Sequence, residues 1–145
     1  MTNAPGFSTA ELLLAITLLG IITAIAVPQT KHSLDIIKVR SAREAAFGVA
    51  AQARSLALAR GGADLVIDVR ANTISARDHF GAFMAGVELS EYGVDLADTD
   101  ATADTIVLTY DAHGIGRIAS RTLRFRRGNA TAGLTFSSYG RVRRW

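Results

Sequence analysis

The hydrophobic positions divide the chain into two halves with different periods. Residues 12–27 (LLLAITLLGIITAIAV) form an uncharged run in which Thr17 and Thr23 are the polar members. Together with Thr9 and Ala10, the run approaches the ~20 residues that a helix needs to cross a bilayer. We therefore predict a membrane-spanning helix near the N-terminus.

A second apolar pattern follows Pro28 with steps of mostly three and four residues, which predicts an amphipathic helix. Pro28 should kink this helix or break one turn, because proline lacks a backbone N–H. Gly61-Gly62 should end it. The two segments together predict one helix over Thr9–Arg60, far longer than the ~11-residue average. The apolar stripe of its second half comprises Leu34, Ile37, Ala42, Ala45, Ala46, Val49, Ala53, Leu56 and Ala57.

Beyond Gly62 the apolar residues alternate with polar ones, which predicts strands. Residues 65–69 and 73–75 suggest a hairpin, and residues 105–110 a strand of high β-propensity. Residues 123–126 alternate Leu, Arg, Phe and Arg, so this strand has one apolar and one basic face. We interpret residues 128–133 as a loop before a last strand starting at Leu134, and residues 87–104 as a variable acidic loop with one short strand. The predicted fold class is α+β: a long N-terminal helix packed on a small antiparallel β-sheet head.

Charge is segregated along the chain although the net charge is only +3. Residues 62–111 hold two Arg and ten Asp or Glu, whereas residues 112–145 hold eight Arg and no acid. The basic segment suggests a phosphate-binding stripe, with Tyr139 and Trp145 available to stack on bases. Alternatively, acidic and basic strands pair within one sheet or between subunits. The candidate DNA-binding residues are Arg124, Arg126, Arg141, Arg143 and Arg144.

Candidate catalytic or metal-binding chemistry is weak in this sequence. It contains no cysteine, and its three histidines, His32, His79 and His113, do not have the spacing of metal ligands. No nucleophile, zinc or dinucleotide motif occurs. We expect neither catalysis nor a cofactor or metal.

Glu11 stands at the head of the apolar run. A carboxylate inside a membrane segment costs on the order of 3 kcal/mol if it is central, and it indicates a function. Ser8-Thr9-Ala10-Glu11 also fits the capping box, in which the glutamate bonds to the cap amide. The two interpretations are compatible.

Two other interpretations of the N-terminal segment remain open. Ala24-Ile25-Ala26 is similar to the cleavage site of a secretory signal peptide. Met1–Gly6 has no Lys or Arg, however, and an acid opens the apolar region, unlike such a peptide. The segment could also be a simple membrane anchor without a further role.

The run from Gly6 to Leu13 (GFSTAELL) resembles the processing motif of type IV prepilins: Gly, then Phe, three residues, Glu and a long apolar run. Pro28 falls where many pilins carry a helix-kinking proline. The resemblance implies that a prepilin peptidase cuts between Gly6 and Phe7 and methylates the new amine of Phe7. It further implies that Glu11 pairs with the Phe7 amine of a neighbouring subunit during assembly, as a buried carboxylate needs a positive partner.

The same resemblance implies a division of the chain into four parts. Residues 1–6 would be the leader, residues 7–27 the transmembrane and filament-core helix, residues 28–60 the amphipathic helix, and residues 61–145 the β-rich head. The protein would cross the bacterial inner membrane once, with its head in the periplasm. By the positive-inside rule, Lys31, Lys38, Arg40 and Arg43 favour the opposite orientation.

The later part of the chain resembles a subgroup of this family. Residues 53–57 (ARSLA), the strands that follow and the ending Gly140-Arg141-Val142-Arg143 are similar to H-type minor pseudopilins of type II secretion and to DNA-uptake minor pilins. The first resemblance implies a subunit near the tip of a pseudopilus, in contact with other subunits and with exported proteins. The second implies a minor type IV pilin that binds DNA through its terminal Gly-Arg-x-Arg motif.

Overall fold

The computed structural model describes residues 8–98, 104–117 and 120–145, with the side chains of Pro28 and Asp98 left out of the description. The chain divides into two compact units, Met1–Leu34 and Asp35–Trp145. In the described residues, the first unit holds the apolar half of the long helix. The second holds the other half and all the strands.

The helix α1 runs from Thr9 to Arg60, which confirms the predicted bounds. It is not interrupted at position 28, so the alternative of a broken turn there is wrong, while the kink stays a prediction. The helix ends where Gly61 takes a φ of +85°, and the Gly61 N–H donates to the carbonyl of Ala57 at 2.9 Å. Glycine suits this position because the left-handed region costs it no steric strain.

The buried face of α1 in the second unit consists of small residues, which let the strands approach the helix closely. Leu34 and Ile37 were included in the predicted stripe but are more than half exposed. Nine residues separate Ile37 from Ala46, or about two and a half turns, so Ile37 faces the opposite side. Val39 takes its place in the core. The buried residues of α1 are Val39, Ala42, Ala46, Val49, Ala50, Ala53 and Ala57.

The described strands form two antiparallel sheets of four strands each. The order of the first sheet is β3-β2-β1-β5, and the order of the second is β4-β6-β7-β8. A short 3-10 helix, Leu89–Tyr92, connects β3 to the segment before β4. The strands are β1 (Gly62–Asp68), β2 (Thr73–Asp78), β3 (Phe83–Glu88), β4 (Asp95–Asp98), β5 (Thr105–Asp111), β6 (Arg121–Arg127), β7 (Ala130–Phe136) and β8 (Val142–Arg144).

The first sheet confirms the predicted hairpin of β1 and β2 and the predicted strand β5. Asn72 in the hairpin turn has a φ of +58° and joins the two sheets. Its amide donates to the carbonyl of Val94 at 2.7 Å and accepts from the Leu96 N–H at 3.0 Å. This side chain therefore positions the segment that leads into β4.

The second sheet corrects two predictions. The strand that contains Leu134 is not the last one, because β8 follows it and pairs with it. Residues 130–133 are not loop but the first half of β7, and the turn after β6 consists of Gly128 and Asn129. The strand was not predicted because its residues are small. Ala130 and Ala132 are buried in the sheet, and the ring of Trp145 lies on Gly133. Leu123 and Phe125 point into the core and Arg124 and Arg126 point outward, as predicted.

Two further expectations are resolved by the sheets. Residues 87–104 contain the predicted short strand, β4, but β3 was not foreseen and its last two residues fall in the predicted loop. Among the described strands, the acidic and basic segments share a sheet where β4 pairs with β6, with Asp95 opposite Arg126. The other described strands of residues 62–111 form the first sheet, which also carries Arg77 on β2, and the strands of residues 112–145 complete the second sheet.

Candidate functional site

The N-terminus of α1 forms the capping box that the sequence suggested. The Ser8 N–H donates to the carboxylate of Glu11 at 2.9 Å, and the Glu11 N–H donates to the hydroxyl of Ser8 at 3.2 Å. Two amides that the helix itself leaves without acceptors are thereby satisfied. The cap also leaves the Glu11 side chain exposed at the start of the apolar run.

The apolar half of α1 is exposed on all sides within its own unit. Its large aliphatic side chains between Leu12 and Val27 are 51–66% exposed. The two hydroxyls in the run bond to their own helix: Thr17 donates to the carbonyl of Leu13, and Thr23 donates to that of Leu19. Among the described helices, α1 contains a stretch long and apolar enough to cross a membrane. Exposure all round a helix is what a lipid or helix-bundle environment requires.

Gly6 and Phe7 lie outside the described residues. Cleavage between them and methylation of Phe7 stay predictions, as does the pairing of Glu11 with a neighbouring subunit. The side chain of Pro28 is likewise outside the description.

The candidate arginines of the C-terminal segment separate into three groups, and Arg144 belongs to the fold. Its guanidinium lies 2.8 Å from the carboxylate of Glu44 on α1, and over the ring of Phe47 at 4.7 Å. Arg43 also pairs with Glu44, at 2.7 Å, and donates to the carbonyl of Trp145 at 3.0 Å. Hydrogen bonds from Arg144 and Arg43 lower the pKa of Glu44. These contacts attach β8 to the helix.

Arg124 and Arg126 lie on the outer face of the second sheet, away from the core. Arg124 lies over the indole of Trp145 at 5.9 Å, and the indole N–H donates to the hydroxyl of Thr135 at 3.2 Å. Arg126 lies beside Arg124 and Asp95 around a shallow hollow of about 270 Å³. This group is a basic surface with one aromatic ring.

Arg141 and Arg143 line an open groove with Arg54 of α1. The groove has a volume of about 580 Å³ and is completed by Ser137 and Tyr139. Its lining, as far as the structure is described, holds three guanidinium groups and no carboxylate, and Tyr139 is 77% exposed. Arg54 was not among the predicted residues. It follows the buried Ala53 at the margin of the apolar stripe, and this place was the one sequence signal for a position near the head.

The groove borders a smaller cavity of about 180 Å³, which is lined by Arg54, Tyr110 and Arg141 among others. Gly140 lines this cavity with a φ of +75°, and a Cβ there would lie 2.8 Å from the ring of Tyr110. The Tyr110 hydroxyl is buried without a hydrogen-bond partner among the described residues. Burial raises the pKa of Tyr110, which keeps this hydroxyl neutral.

The three histidines lie on different elements. His79 lies against Phe80 at the β2–β3 turn, His113 lies in the turn after β5, and His32 lies on α1. In residues 8–98, 104–117 and 120–145, no three His, Cys, Asp or Glu side chains are grouped as metal ligands.

One long N-terminal helix packed on small antiparallel sheets defines a type IV pilin-like fold. Two crystal structures of the type IV minor pilin FimU of Pseudomonas aeruginosa (strain PAO1) are similar to this chain. The first, in space group P21, has a TM-score of 0.57 at 18% identity over 72% of this chain and 86% of that one. The second, in space group P65, has a TM-score of 0.50 at 17% identity over 71% and 91%. Neither a protein-family model nor a curated protein sequence matches the chain.

Proposed function

We propose that this protein is a minor subunit of a type IV pilus-like filament, and that it belongs to the tip of a type II secretion pseudopilus. The observation that carries the proposal is that one chain combines a helix half whose apolar side chains are exposed on all sides with a compact, pilin-like head. The apolar half holds the subunit in the inner membrane and later packs in the filament core. The head, in the periplasm, contacts other subunits and exported proteins. No catalytic step is part of this role.

The prepilin-like N-terminus supports the secretion assignment. The resemblance of residues 53–57 and 140–143 to H-type minor pseudopilins supports it as well.

Glu11 has a defined role in the proposal. Once Gly6 is removed, its carboxylate pairs with the amine of Phe7 on the next subunit, because a charge inside an apolar bundle needs a partner of opposite sign.

Glu11→Gln tests this role, because glutamine keeps the capping box and removes the charge. We expect the variant to accumulate in membranes at the wild-type level and to be depleted at least tenfold from purified filaments. The measurement is quantitative immunoblotting of both fractions. Ser8→Ala is the matched control, since it breaks the cap and keeps the carboxylate, and it should assemble normally. Normal incorporation of Glu11→Gln would contradict the pairing.

A second candidate function is DNA binding by a minor type IV pilin during DNA uptake. The groove of Arg54, Arg141 and Arg143 beside the exposed Tyr139 favours it, because clustered guanidinium groups attract phosphates and an aromatic ring stacks on bases. In this role the partners would be the same as in the secretion role: the prepilin peptidase, the inner membrane and the other pilin subunits.

Salt-dependent DNA binding by the full chain in detergent tests this candidate. We expect Arg141→Ala/Arg143→Ala to weaken binding and to reduce the salt slope by about two, one for each lost phosphate contact. Arg40→Ala/Arg117→Ala is the control, since it removes the same charge from exposed positions outside the groove. An equal loss of DNA affinity in both double variants, or no DNA binding at low salt, would contradict DNA binding by the groove. The secretion role would then be the remaining proposal.

A further inference from the structure

The strand β3 is an outer strand of the first sheet. It pairs with β2 on one side, and among the described residues no strand or bridge pairs with its other side. All six of its residues, from Phe83 to Glu88, are exposed or half-buried. The strand therefore offers a free edge, at which backbone N–H and carbonyl groups are open to a further strand.

The register of β3 on β2 shows which backbone groups lie at the free edge. Hydrogen-bonded pairs alternate along an antiparallel ladder, and the Leu89 N–H donates to the carbonyl of Asn72 at 3.0 Å. Counted from this pair, Val87 and Ala85 are the next residues of β3 that bond to β2. Gly86, which lies between them, therefore directs its N–H and its carbonyl to the free edge.

The other outer strands of the two described sheets are short, charged or covered. Part of the edge of β5 is covered by a bridge between Tyr110 and Gly116 and by the Arg117 N–H, which donates to the carbonyl of Thr109 at 3.0 Å. The strand β4 has four residues and an Asp at each end, and β8 has three residues. Such features keep an outer strand from pairing with other chains. The strand β3 lacks them, because its one charge is Glu88 at its end.

An exposed aromatic ring lies directly beside the free edge. The ring of Phe83 covers Gly86, where a Cβ would be 2.9 Å from it, and Phe83 is 68% exposed. A hollow of about 330 Å³ opens next to the ring, over Ser75 and Arg77 of β2. A strand added to this edge would lie about 4.8 Å from β3, with its side chain opposite Gly86 on the same face as the ring. A long aliphatic side chain at that place would pack on Phe83.

We propose that the free edge of β3 binds an extended segment of an exported protein, which adds to the first sheet as a further antiparallel strand. An extended chain is the partner that satisfies a row of backbone donors and acceptors. Because backbone hydrogen bonds do not depend on side chains, and one side chain meets Phe83, the edge accepts segments of different sequence. This tolerance suits a set of different exported proteins better than one fixed neighbouring subunit. The inference rests on the proposed secretion role and names how the head holds an exported protein.

A labelled synthetic peptide in which leucine and threonine alternate tests the edge on the full chain in detergent, by fluorescence anisotropy. A leucine opposite Gly86 packs on Phe83, and the residue opposite Gly86 exchanges both hydrogen bonds with it. The leucine N–H groups therefore face β3, and the threonine N–H groups face solvent. We expect N-methylation of the leucines to weaken binding at least tenfold and N-methylation of the threonines to leave it unchanged.

Two substitutions at Gly86 provide the second arm. Gly86→Pro removes the N–H at the free edge and leaves the ladder to β2 intact, as proline is tolerated at such a position. Gly86→Ala is the matched control, since its Cβ meets the same ring of Phe83 and its N–H is kept. We expect peptide binding to fall at least tenfold in Gly86→Pro and to be largely kept in Gly86→Ala. Urea titrations of both variants check the fold, and the methylated peptides test the edge of the unmodified chain.

The same variants separate this proposal from the filament role in cells. Quantitative mass spectrometry of the medium, with and without this chain, identifies the proteins whose export depends on it. We expect Gly86→Pro to enter purified filaments at the wild-type level and to reduce this export at least threefold, unlike Gly86→Ala.

Three outcomes would overturn the proposal: no peptide binding or an equal effect of both methylations, normal export by Gly86→Pro, or loss of Gly86→Pro alone from filaments. The last would assign the edge to a neighbouring subunit. Absence of the unmodified chain from filaments would instead count against the filament role itself, whatever the peptides show.

Discussion

At the residue scale, Asp78 shows how a buried charge is tolerated in this head. It is 4% exposed, and its carboxylate accepts from the N–H groups of Phe80 and Ala82 and from the guanidinium of Arg60 at 3.0 Å. These donors compensate for the loss of hydration that burial imposes on a carboxylate. Asp78 thereby connects the end of α1 to the β2–β3 turn.

The same donors, the Ala82 N–H first, lower the pKa of Asp78. A carboxyl whose pKa is lower in the folded state stabilises the fold above its unfolded pKa of about 4, and this contribution is lost as pH falls through the folded value. Asp78→Asn should therefore unfold at lower denaturant concentration at pH 7, with a smaller further loss on acidification. Urea titrations across this pH range measure both effects. Asp104→Asn, at an exposed position, is the control; equal acid sensitivity in wild type and Asp78→Asn would contradict the assignment.

Gly133 is a second residue with a specific requirement, because the indole of Trp145 lies directly on it. A Cβ at this position would be 2.3 Å from Cε2 of the indole. We expect Gly133→Ala to displace the ring and to destabilise the head by roughly 1–3 kcal/mol, as overpacking does. Since Trp145 is the single tryptophan, its fluorescence reports the shift.

Gly48→Ala is the opposite case, since a Cβ there meets no atom within 4 Å. Alanine is favoured over glycine inside a helix by about 1 kcal/mol, so this variant should be more stable and leave the fluorescence unchanged. An unshifted emission spectrum in Gly133→Ala would show that the indole does not occupy this position.

At the scale of elements, β8 is a three-residue edge strand that depends on the helix. Arg144 reaches across to Glu44, and the N–H groups of Trp145 and Gly133 exchange hydrogen bonds with each other's carbonyls at 3.1 and 3.0 Å. The ion pair is partly exposed, so its expected contribution is only about 0.2–1 kcal/mol. Such a contact decides local opening more than global stability.

Glu44→Gln should therefore accelerate hydrogen exchange of the Trp145 and Gly133 amides at pH 7 and leave the β1 amides unchanged. Because the arginines lower the pKa of Glu44, the difference from wild type should persist into mildly acidic solution. It should vanish as pH falls through that lowered value. Glu91→Gln, in the 3-10 helix, is the control; identical exchange in Glu44→Gln and wild type at pH 7 would exclude the attachment.

How far the sequence predicts each element depends on how strongly its residues mark it. The helix was predicted to the residue because an apolar run, a three-to-four-residue period and Gly61 all agree. β6 was recognised from its Leu-Arg-Phe-Arg alternation. β7 was misread in its first half, because Ala130, Ala132 and Gly133 are small for reasons that only tertiary packing reveals.

The candidate site shows the same limit. Clustering along the chain identified the five arginines, but it could not separate the ion-paired Arg144 from Arg141 and Arg143 in the groove. Arg54 lines the same groove from α1, and its distance along the sequence from Arg141 and Arg143 meant that clustering could not identify it. Contacts between elements, which no local pattern encodes, decide which charges are available to a partner.

At the scale of the whole molecule, two units serve different surroundings. The unit Met1–Leu34 exposes a helix suited to lipid or to a helical bundle, and the unit Asp35–Trp145 has its own core. A secretory signal peptide would be removed after Ala26, and a simple anchor would be kept whole. A pilin-type subunit would instead lose only its leader. These three fates of the N-terminus separate the interpretations.

The most direct measurement is therefore the mass and N-terminal sequence of the full-length chain recovered from membranes of cells that contain a prepilin peptidase. We expect a chain that begins at Phe7 with a methylated amine, and an unprocessed chain from cells without the peptidase. A chain that begins at Val27, or one that keeps residues 1–6 in both strains, would contradict the role as a filament subunit.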